Sequence, residues 1–195
     1  MAGGSWIRDL RTKRSSKHIR RMTRAAKHDD CFPPIAEPDA EILILGSLPG
    51  RKSLEMQQYY AHPQNAFWKL IARIYKRGSS LPYTQRVEIL TANRIALWDV
   101  LAAAERPGSL DSSIVSASAR ANDFAAFYRN HPQVSRIYFN GRRAEELYRR
   151  LVLPGLSAEF ATLRYVSMPS TSPAHAGMPF AEKLVRWKKN KEKAP

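Results

Sequence analysis

The sequence predicts an α/β fold of three layers, with helices on both faces of a central four-stranded, mainly parallel sheet. Two observations carry the prediction. Short apolar runs at 41–46, 94–100, 136–139 and 163–167 sit beside turn residues, as buried strands do. Segments of helical spacing alternate with them, and strand–helix alternation implies parallel strands joined by crossovers. No internal repeat is present.

The elements follow in order. Residues 1–30 hold nine Lys/Arg against three Asp, a basic arm expected to be loosely ordered. It lacks a secretory apolar region. Its Arg/Ser-rich, acid-poor composition leaves a mitochondrial targeting segment as the other reading. Residues 31–195 are expected to form a single domain, entered through the proline-rich stretch after Cys31. Glu41 to Gly46 reads as a central strand. Phe67, Leu70, Ile71, Ile74 and Tyr75 fall on one helical face. Tyr83 to Thr91 reads as a helix and Arg94 to Val100 as the second strand. Asp123 to Asn130 is helical, with Asn122 as its N-cap. Arg136 to Phe139 is the third strand, and Arg142 to Leu151 a helix. Leu163 to Ser167 is the fourth strand. Phe180 to Lys191 is a terminal helix in a basic tail, where 182–195 carries six cations against two Glu.

Composition narrows the function. The net charge is +15 and the pI about 10.3, which favours a polyanionic partner such as DNA or RNA, although solvated tails would give the same balance. The single cysteine, Cys31, excludes an internal disulfide and a Cys-rich metal or iron–sulfur site. A reducing interior suits it, so the expected location is cytoplasmic, at the nucleoid in a bacterium. No apolar run approaches the ~18 residues of a membrane span. No cofactor is expected. Asp99 and Asp111 are too scattered to make a metal site.

Chemistry in such sheets gathers outside the carboxyl ends of the strands. The loops there are GSLPG (46–50), WDVLAAAERPGSLDSS (98–113), NGRR (140–143) and MPSTSPAHAG (168–177). GSLPG lacks the Gly-Lys-Ser/Thr ending of a phosphate-cradling loop. The small residues Gly46 and Ser47, with Leu48 behind them, let a base or sugar approach the backbone. A plain turn is the alternative. Tyr60, ahead of a His-Pro turn, can stack on a base or pack in the core, as can Tyr59. Phe67 and Trp68 match core spacing. His62 reads as a turn residue. Asn65 can cap its helix, hold a base edge or orient water. Ser170, Thr171 and Ser172 can donate to phosphates or satisfy their own turn. His175 is the group of that loop best able to bear charge. Asn140 is a helix cap or a pocket hydrogen-bonder.

GSLPG, QYYAHPQNAFW, ALWDV, GSLDSSI, FNG and MPSTSPAHA together resemble the uracil-DNA glycosylase superfamily, most of all its hypoxanthine-releasing DNA-deoxyinosine glycosylases. The likeness spans residues 42–177. It implies a three-layer α/β/α fold and a monofunctional DNA glycosylase of base excision repair. The first block also resembles the mismatch-specific uracil/thymine glycosylases, which carry an Asn inside the Gly-x-x-Pro-Gly loop where this chain has Leu48. The resemblance implies that Asn65 takes over water activation, that Tyr60 stacks on the flipped base, and that Ser170 belongs to the loop gripping DNA backbone. Met168 stands where the superfamily usually has a histidine.

The expected reaction is hydrolysis of the N-glycosidic bond of a deaminated nucleotide flipped from DNA, hypoxanthine first. The expected enzyme is a monomer acting on double- or single-stranded DNA. No lysine nucleophile is evident, so strand cleavage is not expected. Uracil or thymine release from mismatches, a non-catalytic nucleic-acid-binding module and an RNA partner remain alternatives.

Overall fold

A computed structural model describes residues 28–192, apart from 79 and 109. The expected basic arm lies largely outside the described residues. Its last three residues do not: His28–Asp30 form strand β1 and pair antiparallel with β4 (Leu101–Glu105).

The central sheet consists of β2 (Ile42–Gly46), β3 (Ile95–Asp99), β6 (Arg136–Asn140) and β7 (Arg164–Met168), ordered β3-β2-β6-β7 and parallel throughout. β2 and β3 are buried at every position, which is why they read as unbroken apolar runs. β7 lies at the edge and exposes Arg164 and Ser167.

The helices lie on both faces. Trp98 and Phe139 align across Leu45, so they share a face. There they meet Phe124 and Phe127 of α4 (Phe124–Asn130) and Tyr148 of α5 (Arg142–Leu151). Tyr138 points the other way and donates its hydroxyl to Asn190 O in α6 (Phe180–Glu192). Trp187 of α6 meets Phe67 of α2 (Phe67–Ile74) edge-on at 6.1 Å. α2 buries Phe67, Leu70, Ile71 and Ile74, the face its spacing predicts. α3 (Tyr83–Thr91) packs on α2 and β3. Burying these large side chains contributes roughly 1.5–3 kcal/mol each.

Two expectations need correction. The stretch after Asp99 is not a loop: it runs on as β4, in a second sheet of order β1-β4-β5, with β5 at Arg120–Ala121. A short helix outside the sequence expectations, α1 (Arg51–Met56), follows GSLPG. The cap of α4 is Asp123, whose carboxylate accepts from Ala126 N at 2.9 Å. Asn122 instead donates its side-chain amide to Asp99 O. The two side chains are equally long, and Asp123, one residue nearer the helix, is the one within reach of the unpaired amide.

Candidate active site

β2 sits inside the sheet, and the chain leaves it first towards β3 and later returns on its other side as β6. The strand ends β2 and β6 therefore mark the point where connections diverge, and a crevice opens there. A cleft of about 940 Å³ fills it. Its lining includes Gly46, Ser47, Leu48, Tyr60, Asn65, Asn140, Ser170, Thr171, Ser172 and His175, so the residues expected to act together do share one space. The volume suits a single nucleotide.

Each wall has a local cause. Tyr60 takes a left-handed backbone, φ 53°, uncommon outside glycine. Tyr59 goes the other way, into the core, and donates its hydroxyl towards Phe32 O and Pro33 O. The Tyr60 ring stacks on Phe67 at 4.2 Å, so one of its faces is already covered. Its hydroxyl is buried without a hydrogen-bond partner. Burial and the neighbouring Asp99 carboxyl hold that phenol above its usual titration range. Asn65 accepts from Phe67 N through Oδ1 at 2.9 Å, which fixes the carboxamide at the start of α2. His62 is an exposed turn residue whose Nδ1 accepts from Gln64 N.

The second loop is tied down at several points. Asn140 Nδ2 donates to Thr171 Oγ1 at 2.9 Å, and Thr171 N donates back to Asn140 Oδ1 at 2.9 Å. Thr171 O accepts from Ala66 N. Trp187 Nε1 and Lys183 Nζ of α6 donate to Pro169 O and His175 O. Gly141, with φ 99°, lets the loop close in: a Cβ there would lie 2.8 Å from Ser170 Cβ. Thr171, 1% exposed and bonded to Asn140, is a strut between two loops, a correction to its expected phosphate contact. Asn140 is committed to that strut rather than to capping α5. Ser170 and Ser172 accept from backbone amides of their own turn, and His175 is exposed at the rim.

The small second sheet braces the first loop. Arg106, with no exposed side-chain surface, donates to Asp29 Oδ2 through Nε at 3.0 Å and Nη2 at 2.7 Å, and also to Pro49 O. Its Nη1 lies 3.7 Å from Asp111 Oδ1. Ser47 Oγ donates to Asp111 Oδ2 at 2.5 Å. The sequence does not show this cluster, because its members are far apart in the chain; the one signal is the position of Asp99 at a strand end. Basic Arg51, Lys52, Arg142 and Arg143 also line the cleft. Among the described residues no group of three or more His, Cys, Asp or Glu is placed to hold a metal. No helix among them is long and apolar enough to cross a membrane.

Comparison with known proteins decides the family. The model of the uracil DNA glycosylase superfamily matches residues 33–191. The chain belongs to the uracil DNA glycosylase superfamily. It is 39% identical over 162 residues to a hypoxanthine DNA glycosylase of Methanosarcina acetivorans, covering 83% of this chain and 91% of that one. A hypoxanthine DNA glycosylase of Methanosarcina barkeri is 40% identical over 116 residues, 59% of this chain and 72% of the other. A candidate uracil DNA glycosylase of M. acetivorans, solved in solution by NMR, superposes with a TM-score of 0.68 at 33% identity, covering 85% of this chain and 99% of that one. Superfamily membership and the three-layer architecture thus agree with the expectations from sequence.

Proposed function

We propose that this DNA glycosylase hydrolyses the N-glycosidic bond of deaminated nucleotides in DNA, with hypoxanthine as its principal substrate, and so opens base excision repair. The observation that carries the reading is the shared cleft. Tyr60, Asn65 and the side-chain-poor Gly46-Ser47 edge line one nucleotide-sized space at the sheet's switch point. The hypoxanthine DNA glycosylase relatives favour a purine among the deaminated bases.

Flipping costs a few kcal/mol and least for a mispaired base, which hypoxanthine makes. The face of Tyr60 not covered by Phe67 is the one a base can use, contributing ~1–3 kcal/mol. Asn65 Oδ1, fixed by the Phe67 amide, keeps a second lone pair for a water hydrogen. An amide is a poor base, but an oxocarbenium-like centre needs little nucleophile activation. Leu48, buried on the first loop, can only pack. In this reading Ser170, Ser172 and His175 meet the DNA backbone beside the flipped nucleotide.

The test is base release from duplexes carrying inosine, uracil, xanthine or a T·G mismatch, by the wild type and Asn65→Ala. Hypoxanthine should be released fastest. Asn65→Ala should lose roughly 10²-fold or more in rate, with DNA binding retained and a small drop in melting temperature, from the lost contact to the Phe67 amide. Release of uracil with inosine untouched would transfer the assignment to the uracil branch, which the NMR neighbour's description favours. Binding without any release would leave a nucleic-acid-binding module.

A further inference from the structure

We propose that Asp99 is a further catalytic residue: its carboxyl donates a hydrogen bond, and at bond cleavage a proton, to a ring nitrogen of the flipped purine. The proposal rests on the reading of the cleft as a purine-glycosylase site.

Asp99 is the last residue of β3 and pairs in register with Gly46. It is 3% exposed and lines the cleft. Its hydrogen bonding is thin for so buried a group. The side-chain contact it makes is the Cys31 thiol towards Oδ2, long at 3.9 Å. A buried acid kept for architecture alone would be expected to find its partners within the fold.

The absent side chain of Gly46 shows where Oδ1 points. A Cβ on Gly46 would lie 2.2 Å from Asp99 Oδ1 and 2.9 Å from the Tyr60 hydroxyl. The two oxygens therefore lie within about 5 Å of each other. The Tyr60 hydroxyl is buried without a hydrogen-bond partner, and both residues line the cleft where the base is expected. A carboxyl with a single long contact to a thiol, converging with a phenol beside a vacated Cβ position, is what a polar ligand edge would satisfy.

The surroundings decide the protonation state. The groups facing Asp99 are Cys31, Tyr59, Tyr60, Asp111 and Arg106. Burial, then the Asp111 charge, push the Asp99 carboxyl up to about 8, with Arg106 and the Cys31 thiol opposing. Burial pushes the Cys31 thiol up to about 12 and also raises both phenols, so these stay neutral. Asp99 thus holds its proton at neutral pH.

A purine leaves more readily when a ring nitrogen is protonated. In the step, the Asp99 proton passes to that nitrogen, and the C1′–N9 electron pair stays with the base, which departs neutral. Water steered by Asn65 adds to C1′. Its released proton goes to solvent, from which Asp99 is reprotonated. Uracil can leave as a delocalised anion, so it needs this acid less.

The test is single-turnover release from inosine-containing duplex by the full chain, wild type and Asp99→Asn, from about pH 6 to about pH 10. Wild-type rates should be level below about 8 and fall roughly tenfold per pH unit above it. The variant should be slowed ~10²-fold or more and lose that limb, with DNA binding unchanged at neutral pH and uracil release less affected. A second probe needs no variant: wild type on 3-deaza and 7-deaza hypoxanthine, one of which should resist release and lose the alkaline limb. Asp99→Asn with the wild-type rate and profile, or both analogues showing the limb, would overturn the proposal. A wild type that releases no hypoxanthine would bring down both readings, whereas an active wild type with an unaffected variant removes the acid alone.

Discussion

At the floor of the cleft the acids are Asp99 and Asp111, and the one cation among the lining residues there, Arg106, is held by Asp29 and by Pro49 O. At the mouth the cations are Arg51, Lys52, Arg142 and Arg143, against one acid, Glu55, which pairs with Lys52, and the Arg142 side chain is 91% exposed. The difference follows from what each end can bear. A solvated cation meets a phosphate cheaply and tracks backbone without reading sequence. An unpaired charge at the floor would pay heavy desolvation: Arg106 is paired with Asp29, whereas Asp99, with no cation bonded to it, is best kept neutral and used as a hydrogen-bond donor. Floor and mouth should therefore fail separately: floor changes in the rate of base release, mouth changes in DNA affinity and its salt dependence.

The sharpest way to break the floor is Gly46→Ala. The added methyl must displace the Asp99 carboxyl and crowd the Tyr60 hydroxyl. Base release should fall by roughly 10²-fold or more, with a stability loss of about 1–3 kcal/mol. Affinity for undamaged DNA should stay near the wild type, because the mouth is intact. Rapid-quench release assays, thermal melts and binding titrations would separate these. A variant that retains full release would show that the packing of Gly46 against Asp99 is irrelevant to chemistry.

The floor also has a signature without substrate. The folded-state titration of Asp99 lies above its ordinary value of 3.8, at about 8. Its contribution to stability is therefore fully present below about pH 4 and is lost as pH rises towards 8, because the unfolded chain releases the proton first. Asp99→Asn lacks that loss. The variant should gain on the wild type across this window, by on the order of a few kcal/mol, and hold a constant advantage above it. Denaturant melts at several pH values measure the gap. Parallel curves for the two proteins would place the wild-type acid in the ordinary carboxylate range and make Asp99 a charged group.

This contrast also marks how far the sequence could be read. α2 and the strands β2, β3 and β6 are visible because burial prints a period, or an unbroken apolar run, on consecutive residues. β4 is not, since Leu-Ala-Ala-Ala-Glu has no β-branched or aromatic residue and is a strand only through its pairing with β1 and β5. The mouth is legible as charge. Tyr60, Asn65 and the second loop stand out by residue type and by resemblance. The floor is set by contacts far apart in sequence, Arg106 with Asp29 and Asp99 against Gly46. Thr171 shows the same limit at one residue: in sequence it matches Ser170 and Ser172, and only burial and the bond to Asn140 set it apart.

The mouth supplies the smallest effect. Arg51 opens α1 directly after GSLPG, is exposed, and lines the cleft. If it meets one phosphate, Arg51→Ala should weaken binding to damaged and undamaged duplex alike and lower the salt slope of log affinity by about 1. The single-turnover rate at saturating enzyme should match the wild type, since no floor group moves. Affinity titrations at several salt concentrations, paired with one saturating release assay, decide it. A loss of rate at saturation would mean that the mouth also sets the pose of the base, and the division between gripping backbone and cleaving the bond would have to be redrawn around Arg51.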